Sequence, residues 1–173
     1  FKKIVWAADP MESDRSRGQG TRVLREFSKA VGAEVYPVYV LSDGLLGLSI
    51  PRASLVREFV KPMRRALKDA AKRAKLSKMA PPTIVVSAPS SRGKAAEDLD
   101  RFARMNDADL IFVNSHGRSG LKRMFMGSFA ETLLLHSSTP ILVAGPKADS
   151  EKALDHILFP TDFSEESKAA FRK

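Results

Sequence analysis

The chain has 173 residues, 43% of them apolar and 28% charged, and it contains no cysteine. That size and balance suit a globular fold with one substantial core, and the missing cysteines exclude disulfide scaffolds, thiol catalysis and Cys-based zinc sites. Lysine and arginine number 29 against 20 acids, a net charge of +9 that favours anionic partners.

Apolar runs such as Ile4–Ala8 and Ile111–Val113 are far shorter than the roughly 20 residues that span a bilayer, and the run after Lys3 reaches Asp9 too soon for a signal-peptide core. A cytoplasmic protein without a membrane segment is the expectation. In chain order, Lys2–Asp9 reads as a strand closed by Asp-Pro. Helical periodicity is clearest from Arg22 to Val31, where Val23, Leu24, Phe27, Ala30 and Val31 share a face. Gly18 and Gly20 blur the start of that helix, and Gly32 is its stop. Glu34–Leu41, rich in Val and Tyr, is a second strand, and Ser42–Pro51 a loop. A long helix follows from about Ser54 to Leu76, with Leu55, Val56, Phe59, Val60, Met63, Leu67, Ala70, Ala71 and Ala74 as its buried stripe. Pro62 within it predicts a kink or a late start.

Thr83–Ser87 is the third strand, Ala95–Arg104 a shorter helix, Asp109–Asn114 the fourth strand, Ser128–His136 a helix and Pro140–Ala144 the fifth strand. Short, continuously apolar strands alternating with helices predict an α/β fold, an open parallel sheet with helices on both faces. Right-handed crossovers align the strand C-terminal ends along one edge, where ligands of such sheets bind. Asp9, Val40 and the stretch after Asn114 lie there. Phe1–Asp9 also resembles Asp155–Asp162: each is an apolar strand ending in a small residue and Asp, followed by a helix start. With the polar stretch 147–153 as a linker, residues 1–146 form one domain and 154–173 the opening strand and helix of an incomplete second copy.

The segment Asn114-Ser115-His116-Gly117-Arg118-Ser119-Gly120-Leu121-Lys122-Arg123-Met124-Phe125-Met126-Gly127-Ser128 leaves a strand and enters a helix. Ser128 and Glu131 have capping-box spacing. Unsatisfied N–H groups at that helix start favour an anion. Gly117 and Gly127 would let phosphate oxygens approach the backbone, and Arg118, Lys122 and Arg123 add positive charge. An ordinary capped loop with solvated cations is the alternative.

This segment resembles the signature of the universal stress protein family: Gly, two residues, Gly, nine residues, then Gly-Ser or Gly-Thr. Gly117 and Gly127-Ser128 carry the match, with Phe129-Ala130-Glu131 and Pro140-Ile141-Leu142-Val143 behind them, and the order of strands and helices agrees from Phe1 to about Pro146. The resemblance implies a five-stranded, Rossmann-like parallel sheet of the adenine-nucleotide alpha-hydrolase-like kind. It also implies dimerisation through the last strand and, in one subgroup, ATP at the strand edge. Carried over residue by residue, Asp9 would sit beside adenine and Val40 would contact it through the backbone. Gly117, Gly127, Ser128 and Phe129 would surround ribose and phosphates. The first glycine of the signature is Asn114 here, so a side chain stands where the pattern has none and a smaller pocket is expected.

Enzymatic signals are weak. His116 has Ser115 and Ser119 nearby, but no spacing identifies an acid to orient the imidazole. His136 and His156 make no metal-ligand spacing, and the phosphate-binding Gly-x-x-x-x-Gly-Lys-[Ser/Thr] loop is absent. Slow ATP hydrolysis is the most that is expected. The function implied is a stress-response binding or regulatory protein with an adenine-nucleotide site. A nucleotide-free module working through partner contacts is the alternative. Homodimerisation is expected at Ile141 and Val143, because an apolar edge strand otherwise stays open. The basic stretch Arg52–Lys78 suggests nucleic acid, but Phe59 is its one aromatic and belongs to the buried stripe. The face therefore reads as solvated, and a nucleic-acid partner is not expected.

Overall fold

The computed structural model describes residues 1–11, 14–42, 51–87, 92–115, 128–145, 158 and 160–171. Five strands, β1 (Lys3–Ala7), β2 (Glu34–Ser42), β3 (Thr83–Ser87), β4 (Leu110–Asn114) and β5 (Ile141–Ala144), form one parallel sheet in the order β3-β2-β1-β4-β5. The helices are α1 (Asp14–Val31), α2 (Arg52–Ala74), α3 (Arg92–Met105), α4 (Ser128–His136) and α5 (Glu165–Phe171). The chain winds outward from β1 to β3, returns to lay β4 on the free side of β1, and continues to β5. The strand order therefore reverses between β1 and β4.

Side-chain alternation divides the core into two layers. Ile4, Trp6 and Phe112 pack with Leu24 of α1 and Leu67 and Ala71 of α2 on one face. Val5, Val38, Val40 and Ile111 pack with Ala95, Leu99 and Ala103 of α3 and Leu133 of α4 on the other. The five strands stand where the apolar runs predict them, to within a residue or two at their ends.

Four helical expectations need correction. α1 begins at Asp14, well ahead of Arg22, and runs straight through Gly18 and Gly20. Ala30 and Val31 at its end are exposed, since the chain is already turning away there. Gly32, at φ 69°, ends the helix, with Gly32 N–H donating to Lys29 O at 3.3 Å and Ala33 N–H to Ser28 O at 2.9 Å. This is the paired bonding of a left-handed C-terminal stop. α2 starts at Arg52, ahead of Pro62 rather than after it, because a proline removes one donor without preventing tertiary packing from holding the turn. Val56, expected in the buried stripe, is 45% exposed, and the side chain of Leu55 lies outside the described residues.

Two acids of α3 are buried. Asp98 of α3 pairs with Lys94 at 3.3 Å and with Arg101. Asp100, one residue beyond Leu99, reaches the turn between α4 and β5. It accepts Ser137 Oγ at 2.7 Å, Ser138 Oγ at 3.2 Å and the Thr139 backbone N–H at 3.1 Å, while Arg104 Nε donates to its second oxygen at 3.1 Å. At the same N-terminal end of the strands, Asp109 accepts the Lys2 and Lys3 backbone N–H groups at 2.6 and 3.0 Å, which hold its carboxyl below the usual carboxylate range.

Candidate functional site at the strand edge

The C-terminal ends of β1, β2 and β4 meet at the reversal of strand order. β1 is continued by Ala8, whose N–H donates to Val38 O at 2.9 Å, so the register of Ala7 with Val38 carries Asp9 level with Val40. On the opposite side Ala7 pairs with Val113, and Ser115 N–H donates to Ala144 O at 2.9 Å. Asp9, Val40, Asn114 and Ser115 thus share one edge, as the alternating pattern predicts.

Each candidate residue stands differently. Asp9 is half-buried, and its Oδ1 accepts the Met11 N–H at 2.9 Å, which closes a tight turn at the mouth of the edge. Val40 is buried with its side chain against the α3 layer, so what it can offer an edge ligand is its backbone. Ser128 opens α4, but its side chain lies outside the described residues, as do Gly117 and Gly127. Phe129, in the first turn of α4, is half-buried against the α3 layer.

Asn114 departs most from expectation. Its side chain lies on the same face as Phe112 and reaches α1. A Cβ built on Gly20 would come within 1.8 Å of Asn114 Oδ1 and 2.5 Å of its Cγ. The room for this amide is therefore taken from α1, by a glycine in the middle of a helix. In the sequence Gly20 only blurs the start of the helix and gives no sign of this pairing, because residues 94 positions apart carry no local signal of contact. Asp98 and Asp100 were missed too; the basic residues at helical spacing around them, Lys94, Arg101 and Arg104, were the available hint.

Among the described residues no cluster of three or more His, Asp or Glu side chains could hold a metal ion, and no helix is long and apolar enough to cross a membrane. What the edge provides is a carboxylate, backbone polar groups and a helix start.

An open parallel sheet with helices on both faces and a reversal of strand order places the chain among doubly wound, Rossmann-like α/β proteins. The universal stress protein family model matches residues 1–145, and the chain belongs to that family. A universal stress protein of Methanocaldococcus jannaschii is 30% identical over 148 residues, covering 83% of this chain and 81% of the relative. Among solved structures, a universal stress protein in complex with cAMP superposes with a TM-score of 0.54 at 21% identity, covering 85% of this chain and 98% of that one. The Archaeoglobus fulgidus universal stress protein in complex with dAMP has a TM-score of 0.52 at 18% identity, with 83% and 97% covered.

Proposed function

We propose that this universal stress protein binds an adenine nucleotide at the strand edge and acts in a stress response as a regulatory binding protein rather than a rapid enzyme. The observation that carries the reading is the meeting of Asp9, the Val40 backbone and Asn114 where the strand order reverses. Asp9 would accept from the nucleoside, and the unsatisfied N–H groups at the start of α4 would receive phosphate oxygens. The family's cAMP and dAMP complexes support the same ligand class, with ATP as the cofactor to test first.

Titration calorimetry with ATP, ADP and AMP is the decisive measurement. At least one should bind, and Asp9→Ala should weaken it by tenfold or more, about 1.4 kcal/mol. The absence of heat with every nucleotide at millimolar concentration would overturn the assignment and favour a nucleotide-free partner-binding module.

We also read the chain as a homodimer through β5. Among the described residues this strand pairs on one side only, with β4, and Ile141, Leu142 and Val143 are only half-buried. Leu134 and Leu135 on adjacent α4 are 46% and 72% exposed, which extends the apolar surface beyond the strand. Sedimentation should give a dimer at tens of micromolar, and Val143→Lys should shift it towards monomer. A wild-type monomer at high micromolar concentration would sink this reading.

Residues 154–173 are read as the opening of a second copy of the fold after the linker at 147–153. Residues 147–157, which include the linker and most of the expected strand, lie outside the described residues. Asp162 Oδ1 accepts the Ser164 N–H at 3.0 Å, the same i to i+2 bond that Asp9 makes to Met11, and α5 follows. That bond and the Ser164 hydroxyl hold the Asp162 carboxyl below its ordinary range.

A further inference from the structure

We propose that the outer face of α2 is a docking strip for the phosphate backbone of duplex nucleic acid, engaged without regard to base sequence. The inner face of this helix is committed to the core through Leu67, Ala70, Ala71 and Ala74. Its outer face presents Arg57, Lys61, Arg64, Arg65, Lys68 and Lys72, all exposed. At 3.6 residues per turn these six fall within about 100° of arc and along about 22 Å of helix axis. Glu58 and Asp69 lie together on one flank of the row, not within it.

Five of the six cations are uncompensated. Among the described residues, Arg57 pairs with Glu58 at 3.1 Å, while no carboxylate comes within ion-pair distance of Lys61, Arg64, Arg65, Lys68 or Lys72. Helix α3 of the same molecule is built differently. Its Lys94, Arg101 and Arg104 each contact an acid one helical turn away. Like charges at i, i+3 and i, i+4 disfavour a helix, and a face serving only solubility intersperses both signs, as α3 does. The α2 row is the pattern that an anionic partner would neutralise.

The remaining features select the partner. An interfacial membrane helix needs a free apolar face, and that of α2 is spent inside the protein. Single strands are gripped by aromatic stacking, but Phe59 packs into the core. That absence, which led the sequence to be read as a solvated face, argues against single strands and not against a duplex. The helix carries no Asn or Gln to read adenine edges. What remains is a row of cations laid along a duplex whose two strands together present about one phosphate per 1.7 Å of axis.

Fluorescence anisotropy of the full chain with two unrelated 20-base-pair DNA duplexes tests this. Both should bind with micromolar affinity in 50 mM NaCl and agree within about threefold. With about five phosphate contacts, affinity should fall about 500-fold between 50 and 200 mM salt. Arg64→Glu with Lys68→Glu should weaken binding at least thirtyfold and reduce the salt slope by about 2. Lys2→Glu with Lys168→Glu, of equal charge change elsewhere, should leave both within threefold. If the first pair unfolds, Arg65→Ala with Lys72→Ala replaces it, expected to cost about tenfold and to lower the slope likewise. Equal losses in the control variant would reduce the strip to net charge and overturn the proposal. Tighter binding to vesicles containing anionic phospholipid than to either duplex would overturn it in favour of a membrane surface.

Discussion

Gly20→Ala should destabilise the wild-type protein and stabilise the Asn114→Gly variant. Replacing a mid-helix glycine by alanine ordinarily adds about 0.5–1 kcal/mol of stability through backbone entropy and helix propensity. At this position the new methyl would stand 1.8 Å from Asn114 Oδ1, so the amide must leave its place or α1 must move off the sheet. Overpacking of this kind costs about 1–3 kcal/mol and outweighs the propensity gain. Once Asn114 is glycine the obstruction is gone and the ordinary gain returns. Urea unfolding of the four proteins measures the reversal; an effect of the same sign and size in both backgrounds would show that the two residues are not coupled. Calorimetry on the same set bears on the nucleotide site. Asn114→Gly should raise affinity by opening the edge, and Gly20→Ala, which drives the amide towards that edge, should lower it.

Asp100→Ala should cost about 2 kcal/mol, because it removes the acceptor shared by the Ser137 hydroxyl and the buried Thr139 N–H and leaves them only their bonds within the turn, Ser137 Oγ to Thr139 O at 2.9 Å and Thr139 N–H to Ser137 Oγ at 3.1 Å. Burial alone would push the Asp100 carboxyl up, but its bonds from Ser137, Thr139 and Ser138 outweigh that and bring it from 3.8 down to about 2. A carboxylate with a lowered folded value contributes stability that is fully present above the unfolded value and lost as pH falls through the folded one. Asp100 therefore supports the fold fully above about pH 4 and loses about 2 kcal/mol of that support between pH 4 and pH 2. Wild type should weaken over this window by more than Asp100→Asn does. Parallel curves for the two proteins would remove Asp100 from the acid response.

Strands were legible because they lie between helices on both faces, which makes them short, unbroken apolar runs such as Ile111–Val113. The edge at Asp9 and Asn114 followed from strand direction alone. Helix ends were less legible, since packing rather than propensity decides them: α1 absorbs two glycines because one of them accommodates Asn114. The α2 stripe was read correctly at Leu67, Ala70, Ala71 and Ala74 and wrongly at Val56, near the start of the helix. The candidate site was legible as a family signature, yet the Gly20–Asn114 contact depends on the tertiary approach of a helix to a strand, which no spacing encodes. Asp100 was hidden for a similar reason, its partners lying 37 to 39 residues away.

The strand order also carries a consequence for synthesis on the ribosome. β1 is made first but borders β2 on one side and β4 on the other, so its second neighbour arrives only when residue 114 has been translated. A nascent chain that has already assembled β1, β2 and β3 must wait through residues 88–114, about 1–5 seconds at bacterial or slower rates of about 5–20 residues per second. Throughout that interval one flank of the central strand is an open template, and the Trp6 layer lacks the cover that Phe112 later supplies. Elongation slowed within that stretch would lengthen the exposure, and the nascent chain would then be most prone to misassembly just before β4 joins β1.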